Sequence, residues 1–224
     1  MKKSYLILLI LTAAVFHTQF SYAACDKNIN DGIQKIIDAD RIKYKIPGIQ
    51  VSIGCPNEIS LRNFVSGTIT QEGPTLVKPD NLFQIGSETK SFTATIVLKL
   101  EAAGLLSIND SIGKWLPQYS IWKDITIKQL LNHTSGIVDY FDTEEFANSE
   151  IESNFQKQWT PDELINLVIN KSPYFAPGQG YHYSNTNYVL AGMIISAATN
   201  KSVEEEMKTL LLKQLARKQN LWVI

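Results

Sequence analysis

Two side chains that together could perform nucleophilic catalysis, Ser87 and Lys90, lie three residues apart at the start of the longest apolar helical run in the chain. At a rise of about 1.5 Å per residue, one helical turn separates them, so the lysine ammonium can reach the serine hydroxyl on the same helix face. A hydroxyl is a weak nucleophile until a neighbouring group takes its proton. The pair therefore makes Ser87 a candidate nucleophile.

The same spacing occurs a second time, at Ser111 and Lys114, in a segment that is predicted to be a loop. The surroundings of Ser87 are different. Residues 82–85 are predicted to form a short buried strand, Gly86 permits a sharp turn, and apolar residues then recur with helical period. Only Ser87 is expected to have a strand, a turn and a helix around it, so we take it as the candidate nucleophile.

A turn-rich loop at residues 177–185 carries two further candidate site residues, Tyr183 and Asn185. Alternate residues of an extended segment point to the same side, so the phenol and the amide can face one cleft. A tyrosine near an ammonium loses its proton more easily, because a positive charge favours the phenolate.

The elements that must position these side chains are a helix and a hairpin, followed mainly by helices. The predicted elements are a helix at 28–44, strands at 49–54 and 59–66, a central helix at 87–103 ended by Gly104, capping-box helices beginning at Thr126, Thr160 and Ser202, and a helix at 186–199. Two or three strands make a poor sheet, so the pattern predicts a mixed α/β protein with an incomplete sheet.

Composition limits the classes of partner. The formal net charge is −1 and lysine and arginine are not clustered, which argues against a nucleic-acid surface. The chain is 44% hydrophobic and 19% charged, an ordinary balance for a globular protein, and no metal-ligand spacing surrounds its cysteines. We expect a small-molecule or peptide partner and no metal.

The N-terminus is typical of a secretory signal. Lys2 and Lys3 precede an apolar stretch from Tyr5 to Phe16, and small residues then lead to Ala23. A membrane anchor is the alternative, but the apolar stretch is shorter than the roughly 20 residues that span a bilayer. Removal of residues 1–23 would leave 201 residues, 24–224, without a stable membrane span. We expect a secreted protein.

Both cysteines would survive signal removal and meet an oxidising compartment. A disulfide between Cys25 and Cys55 is the favoured interpretation. A lipoprotein anchor on Cys25 is the competing one, although Tyr22 stands where a lipobox usually has leucine.

Three ordered motifs carry a resemblance to a known family. They are Ile85-Gly86-Ser87-Glu88-Thr89-Lys90-Ser91-Phe92-Thr93-Ala94, then Leu130-Leu131-Asn132-His133-Thr134-Ser135-Gly136, and then Pro177-Gly178 followed by Tyr183-Ser184-Asn185. From about residue 31 to about residue 215, the chain resembles the serine beta-lactamases. The resemblance is to the class C and D-alanyl-D-alanine carboxypeptidase branch, and together with the secretory signal it implies a location in the bacterial periplasm. Three motifs in order are far more specific than any one of them.

The resemblance implies a role for each candidate residue. Ser87 would be the acylated nucleophile, Lys90 would lower the cost of its deprotonation, and the Ser87 N–H would supply half of an oxyanion hole. Tyr183 would act as general base and acid. Asn185 would bind the substrate amide. The implied fold is an antiparallel sheet covered by helices beside a helical region, with the site at their junction and no cofactor.

One family motif is missing. The family has Lys-Thr-Gly or His-x-Gly on a later strand, whereas Lys208-Thr209-Leu210 lacks the glycine and lies in a predicted helix. The resemblance therefore implies a C-terminally truncated member with several sheet strands absent. Losing one oxyanion donor typically costs about 10²–10³ in rate.

Three functions stay open on this basis. One is a serine hydrolase of beta-lactams or D-alanyl-D-alanine peptides. The second is an impaired remnant that at most binds penicillin or peptidoglycan peptides. The third is an esterase or D-aminopeptidase, since fold does not determine function.

Other conspicuous polar residues are expected to be structural. His133 is expected to hold its loop through a hydrogen bond, and His182 to be a packing or surface residue. The acidic run formed by Asp139, Asp142, Glu144 and Glu145 is expected to be a solvated face.

Overall fold

The computed structural model describes residues 27–55, 58 and 60–213. The chain divides into two compact units, Met1–Asn81 and Leu82–Ile224. The expected signal segment, 1–23, lies outside the described residues. Cys55 is buried and disulfide-bonded, whereas Cys25 lies outside the described residues.

The first unit contains a helix and a two-stranded antiparallel sheet. Helix α1 is Lys27–Lys43, strand β1 is Gly48–Ile53 and strand β2 is Arg62–Gly67. The strands pair from Gly48 opposite Gly67 to Ile53 opposite Arg62, so the predicted hairpin is confirmed.

The regular elements in the described part of the second unit are helices, joined by irregular segments. Its α-helices are α2 (Thr89–Ala102), α3 (Ile112–Trp115), α4 (Ile127–Leu131), α5 (Glu144–Glu152), α6 (Pro161–Asn166), α7 (Asn185–Thr199) and α8 (Val203–Glu206). Short 3₁₀ turns cover Gly86–Glu88, Ser120–Trp122 and Tyr140–Asp142, and a π-helix covers Met207–Leu212. The predicted α/β class with an incomplete antiparallel sheet is confirmed, since the described residues pair as strands only in the β1–β2 hairpin and at two isolated bridges.

Local sequence signals determine several helix ends. All three predicted capping boxes, at Thr126, Thr160 and Ser202, form with both reciprocal hydrogen bonds. These bonds satisfy backbone N–H groups that have no partner inside the helix. Gly104 follows α2 with φ +72°, the left-handed conformation that the sequence predicted for it.

The predicted buried strand at 82–85 is wrong. This segment has no regular structure, and its apolar side chains are exposed, with Leu82 at 64% and Phe83 at 49%. A strand needs a neighbour that accepts and donates its backbone hydrogen bonds, and the segment belongs to no strand pair among the described residues.

The loop predicted around Ser111 is also wrong. Residues 112–115 form the short helix α3, and Ser111 precedes it in an extended conformation. The Ile112 N–H donates to the Ile125 carbonyl oxygen at 2.7 Å, which anchors the start of this helix. Lys114 Nζ donates to Asp110 Oδ2 at 2.7 Å, so its ammonium is engaged by a carboxylate. The second serine–lysine pair is therefore a structural element.

The core of the second unit joins the helices that carry the candidate site. Helix α7 packs against α2, α4 and α6. The fully buried side chains of these helices include Ile96, Val97, Ile127, Leu130, Ile165, Leu190, Ile194 and Ile195. A close-packed core transmits small displacements, so it sets the separation of α2 and α7. Within the described ranges, no helix has the length and apolarity that crossing a membrane requires.

Truncating a core leucine should destabilise the protein far more than truncating a surface one. Leu190 in α7 is fully buried, whereas Leu98 in α2 is 51% exposed. We expect Leu190→Ala to lower the free energy of unfolding by about 2–5 kcal/mol, through lost burial and the cavity it leaves. Leu98→Ala should change it by less than about 0.5 kcal/mol. Urea denaturation measures both, and equal losses would contradict this description of the core.

Candidate active site

Ser87 lies where the chain enters α2. It occupies the 3₁₀ turn Gly86–Glu88, and Gly86 precedes it with φ +52°, a conformation that glycine adopts without strain. The Ser87 side chain is exposed, as a nucleophile that meets external substrates must be. Its N–H belongs to the first turn, where amides lack intrahelical acceptors, and is therefore suited to binding an oxyanion.

Lys90 joins the candidate nucleophile to a second helix. Its Nζ donates to Ser87 Oγ at 3.1 Å and to Asn185 Oδ1 at 2.7 Å. The first contact runs from α2 back to the 3₁₀ turn that precedes it, three residues away as the spacing predicted. The second crosses to the first residue of α7.

Tyr183 contacts the same serine oxygen. Its hydroxyl donates to Ser87 Oγ at 2.8 Å. Burial raises the pKa of Tyr183, but the hydrogen bonds with Lys90 and Ser87 and the positive charge of Lys90 outweigh it, so the pKa is lowered from its usual value of about 10. As a phenolate, Tyr183 would accept the Ser87 proton across this contact.

Asn185 completes the predicted set. Its Oδ1 accepts from Lys90, and its Nδ2 donates to Asp139 Oδ2 at 2.8 Å. The structure thus brings together Ser87, Lys90, Tyr183 and Asn185, all within the second unit.

The prediction that Asp139 belongs to a solvated face is wrong. This aspartate is only 4% exposed, whereas Asp142, Glu144 and Glu145 are exposed as expected. Asp139 precedes the turn Tyr140–Asp142, and its Oδ1 accepts from the Phe141 N–H at 3.1 Å. Sequence reasoning missed it because its partner, Asn185, is distant in the sequence. The available signal was that Asp139 directly follows two apolar residues after the second motif.

His133 has the structural role predicted for it. Its Nδ1 accepts from the Ser184 N–H at 3.2 Å, and its ring stacks on Tyr183 with the centroids 4.5 Å apart. Burial and then the charge of Lys90 lower the pKa of His133, against an opposing effect of Asp139. A neutral imidazole therefore supports the ring of Tyr183. His182 stacks on Tyr174, with 3.7 Å between centroids, and is a packing residue.

The arrangement is suited to nucleophilic chemistry at a carbonyl carbon. It supplies a hydroxyl nucleophile, a phenol that can exchange its proton, and an ammonium that stabilises negative charge. Three or more histidine, cysteine, aspartate or glutamate side chains do not converge as a metal site anywhere in the described part of the chain.

Comparisons with known proteins agree with this chemistry. The family model described as "Beta-lactamase" matches residues 33–221. Penicillin-binding protein 4* of Bacillus subtilis (strain 168) is 37% identical over 183 residues, which cover 82% of this chain and 39% of that protein. The chain thus spans about two fifths of the length of this relative.

Two solved structures have the same fold over most of the chain. A D-stereospecific amidohydrolase from Streptomyces sp. matches with a TM-score of 0.71 and 31% identity, covering 83% of this chain and 54% of that one. The D-amino acid amidase from Ochrobactrum anthropi SV3, complexed with L-phenylalanine, matches with a TM-score of 0.73 and 29% identity, covering 84% and 50%.

The titration of Tyr183 should depend on Lys90. Removing the ammonium by Lys90→Met takes away the charge that favours the phenolate, so the pKa of Tyr183 should rise. Lys114→Met is the matched control, because Lys114 is bonded to Asp110 and should leave this titration unchanged. The measurement is the ultraviolet absorbance of phenolate against pH, with the Tyr183→Phe curve subtracted. An unchanged pKa in Lys90→Met would contradict the assignment.

Proposed function

The chain belongs to the beta-lactamase family, and from that premise we propose that it is a serine hydrolase that forms a covalent acyl-enzyme on Ser87. The observation that carries the proposal is the pair of hydrogen bonds on Ser87 Oγ. Lys90 Nζ lies 3.1 Å from this oxygen and the Tyr183 hydroxyl lies 2.8 Å from it. A serine contacted by both groups can lose its proton as it attacks.

The contacts support a two-step reaction. Tyr183, as phenolate, takes the Ser87 proton while Oγ bonds to the carbonyl carbon of the substrate, and the Ser87 N–H donates to the oxyanion. The tetrahedral intermediate then collapses. Tyr183 returns the proton to the departing nitrogen or oxygen, and the acyl group remains on Ser87. Water then attacks the acyl carbon while Tyr183 takes its proton, and Tyr183 gives this proton to Ser87 Oγ as the bond to the acid breaks.

Lys90 contributes charge in both steps. Its ammonium stays bonded to Ser87 Oγ and Asn185 Oδ1 and stabilises negative charge on the phenolate and on the attacking oxygen. Asn185 Nδ2 carries two protons and donates one of them to Asp139 Oδ2, so the second can donate to the carbonyl oxygen of a substrate amide. Asn185 therefore binds the substrate amide.

The substrate class we propose is a carbonyl group bonded to nitrogen in beta-lactams or in D-alanyl-D-alanine peptides. Penicillin-binding protein 4* supports beta-lactams, by its name and its 37% identity to this chain. D-amino acid amides and esters are the second candidate, favoured by the D-stereospecific amidohydrolase and the D-amino acid amidase at 31% and 29% identity. Both classes undergo the same acyl transfer.

A binding-only remnant is the non-catalytic alternative. Neither Lys-Thr-Gly nor His-x-Gly occurs in these 224 residues, and a protein that lacked the second oxyanion donor of this motif would turn its substrate over slowly. Such a protein would be acylated by penicillin and would release the product very slowly.

We propose a secreted protein of the bacterial periplasm. The support is the sequence of residues 1–23, with its basic start, apolar stretch and small residues before the expected cleavage position. A periplasmic location would place the site beside peptidoglycan peptides.

Hydrolysis should require Ser87 and not Ser111. We expect the purified chain to turn over a chromogenic cephalosporin, a D-alanyl-D-alanine peptide or D-phenylalanine amide. Ser87→Ala should reduce this rate by about 10³-fold or more, because the nucleophile is lost. Ser111→Ala is the matched control, since it removes the other serine of the same spacing, and it should retain the rate.

The outcomes separate the candidates. Continuous turnover supports the enzyme, and the preferred compound identifies its substrate class. A burst of about one equivalent without further turnover supports the remnant. Turnover retained in Ser87→Ala, or the absence of both burst and turnover in a folded chain, would contradict the proposal.

A further inference from the structure

Asp139 is a buried carboxylate whose oxygens are both engaged. Oδ2 accepts from Asn185 Nδ2 at 2.8 Å, and Oδ1 accepts from the Phe141 N–H at 3.1 Å. The residue is 4% exposed. A charge withdrawn from water to this extent is costly unless it is hydrogen-bonded, and one of these two hydrogen bonds comes from the side chain of a candidate site residue.

The backbone on both sides of Asp139 is hydrogen-bonded to Thr186, the residue after Asn185. The Thr186 hydroxyl donates to the Val138 carbonyl oxygen at 2.7 Å and accepts from the Tyr140 N–H at 3.0 Å. These two bonds bracket Asp139 and hold it against the start of α7. The contact between Asp139 and Asn185 is therefore built into the packing of these segments.

The orientation of the Asn185 amide follows from its two neighbours. Asp139 carries an acceptor-only carboxylate, and Lys90 carries a donor-only ammonium. Only one orientation satisfies both, with Nδ2 toward Asp139 and Oδ1 toward Lys90. The flipped amide would set oxygen against oxygen at one end and nitrogen against ammonium at the other.

We propose that Asp139 is a positioning residue that acts through Asn185: its carboxylate fixes the amide so that the carbonyl oxygen faces Lys90 and holds the ammonium on Ser87. This inference rests on the proposed function, because the position of Lys90 affects a rate only where Ser87 is the nucleophile. The inference adds Asp139 to the candidate site as a residue that acts through Asn185 and does not contact Ser87.

Replacing Asp139 by its isosteric amide tests the mechanism. Asp139→Asn keeps the size of the side chain but can present either an oxygen or an NH₂ group to Asn185. The Asn185 amide can then adopt both orientations, and Lys90 loses its acceptor in one of them. Asp142→Asn is the matched control. It removes one charge from the same segment at an exposed residue that bonds to Tyr174.

The first measurement is independent of catalysis. In ¹⁵N-labelled protein, the Asn185 side-chain NH₂ resonance is identified by its loss in Asn185→Ala. The proton bonded to the carboxylate should be shifted downfield in the unmodified chain and in Asp142→Asn, and should lose this shift in Asp139→Asn. A resonance that is the same in Asp139→Asn and the unmodified chain would overturn the proposal.

The second measurement is a double-mutant cycle on the acylation rate at saturating substrate. Asp139→Asn should slow acylation by about 10- to 100-fold, the range expected for a lost hydrogen bond to a charged group. In the Asn185→Ala background the same substitution should change the rate by less than about twofold, because the residue through which it acts is gone. Circular dichroism and thermal melting confirm that each variant is folded.

The two measurements distinguish the failure of each claim. If Asp139→Asn slowed acylation as much in the Asn185→Ala background as in the unmodified chain, Asp139 would act by another route and the inference would be overturned. If the chain forms no acyl-enzyme at all, the proposed function fails, and the Asn185 resonance still decides whether Asp139 orients the amide.

Discussion

The candidate site depends on the ammonium of Lys90, which bonds to two helices at once. One of its hydrogen bonds goes to Ser87 Oγ in the 3₁₀ turn that leads into α2, and the other goes to Asn185 Oδ1 at the start of α7. Bonds of this kind weaken steeply with distance, so the two helix ends must be held to within a few tenths of an ångström. The buried side chains between α2 and α7 meet that requirement. The packing of the second unit therefore holds the Lys90 ammonium in place.

Charge balance explains why the surrounding polar groups are arranged as they are. Lys90 supplies the positive charge that favours a Tyr183 phenolate, and Asp139 supplies a buried negative charge on the far side of Asn185. The neutral amide separates the two charges and bonds to both. His133, held neutral by burial and by Lys90, adds no second cation beneath the Tyr183 ring. Within this group the one cation acts on the serine and the tyrosine together.

The sequence predicted the parts of the structure that depend on neighbours along the chain. The spacing of Ser87 and Lys90 is one helical turn, and each capping box is complete within four residues. Both features could therefore be predicted without knowledge of the fold. Tyr183 and Asn185 were found because they are nearly adjacent. Their meeting with Ser87 is a tertiary contact that the family resemblance implied and spacing alone did not.

The failures have a common physical origin in long-range contacts. Residues 82–85 have the composition of a strand, but a strand forms only with a partner, and the segment has none among the described residues. Asp139 has the composition of a surface residue, and its burial depends on Asn185 and on the bonds of Thr186 to its flanking backbone. Helix α3 was missed because a single turn carries no periodicity, and its start is anchored by a bond to Ile125.

The most direct test of the central claim is the mass of the intact protein after incubation with benzylpenicillin, followed by peptide mapping. The account predicts one penicilloyl adduct per chain, located on the peptide that contains Ser87, and no adduct in Ser87→Ala. An adduct on any other residue, or one that persists in Ser87→Ala, would contradict the assignment of Ser87 as the nucleophile.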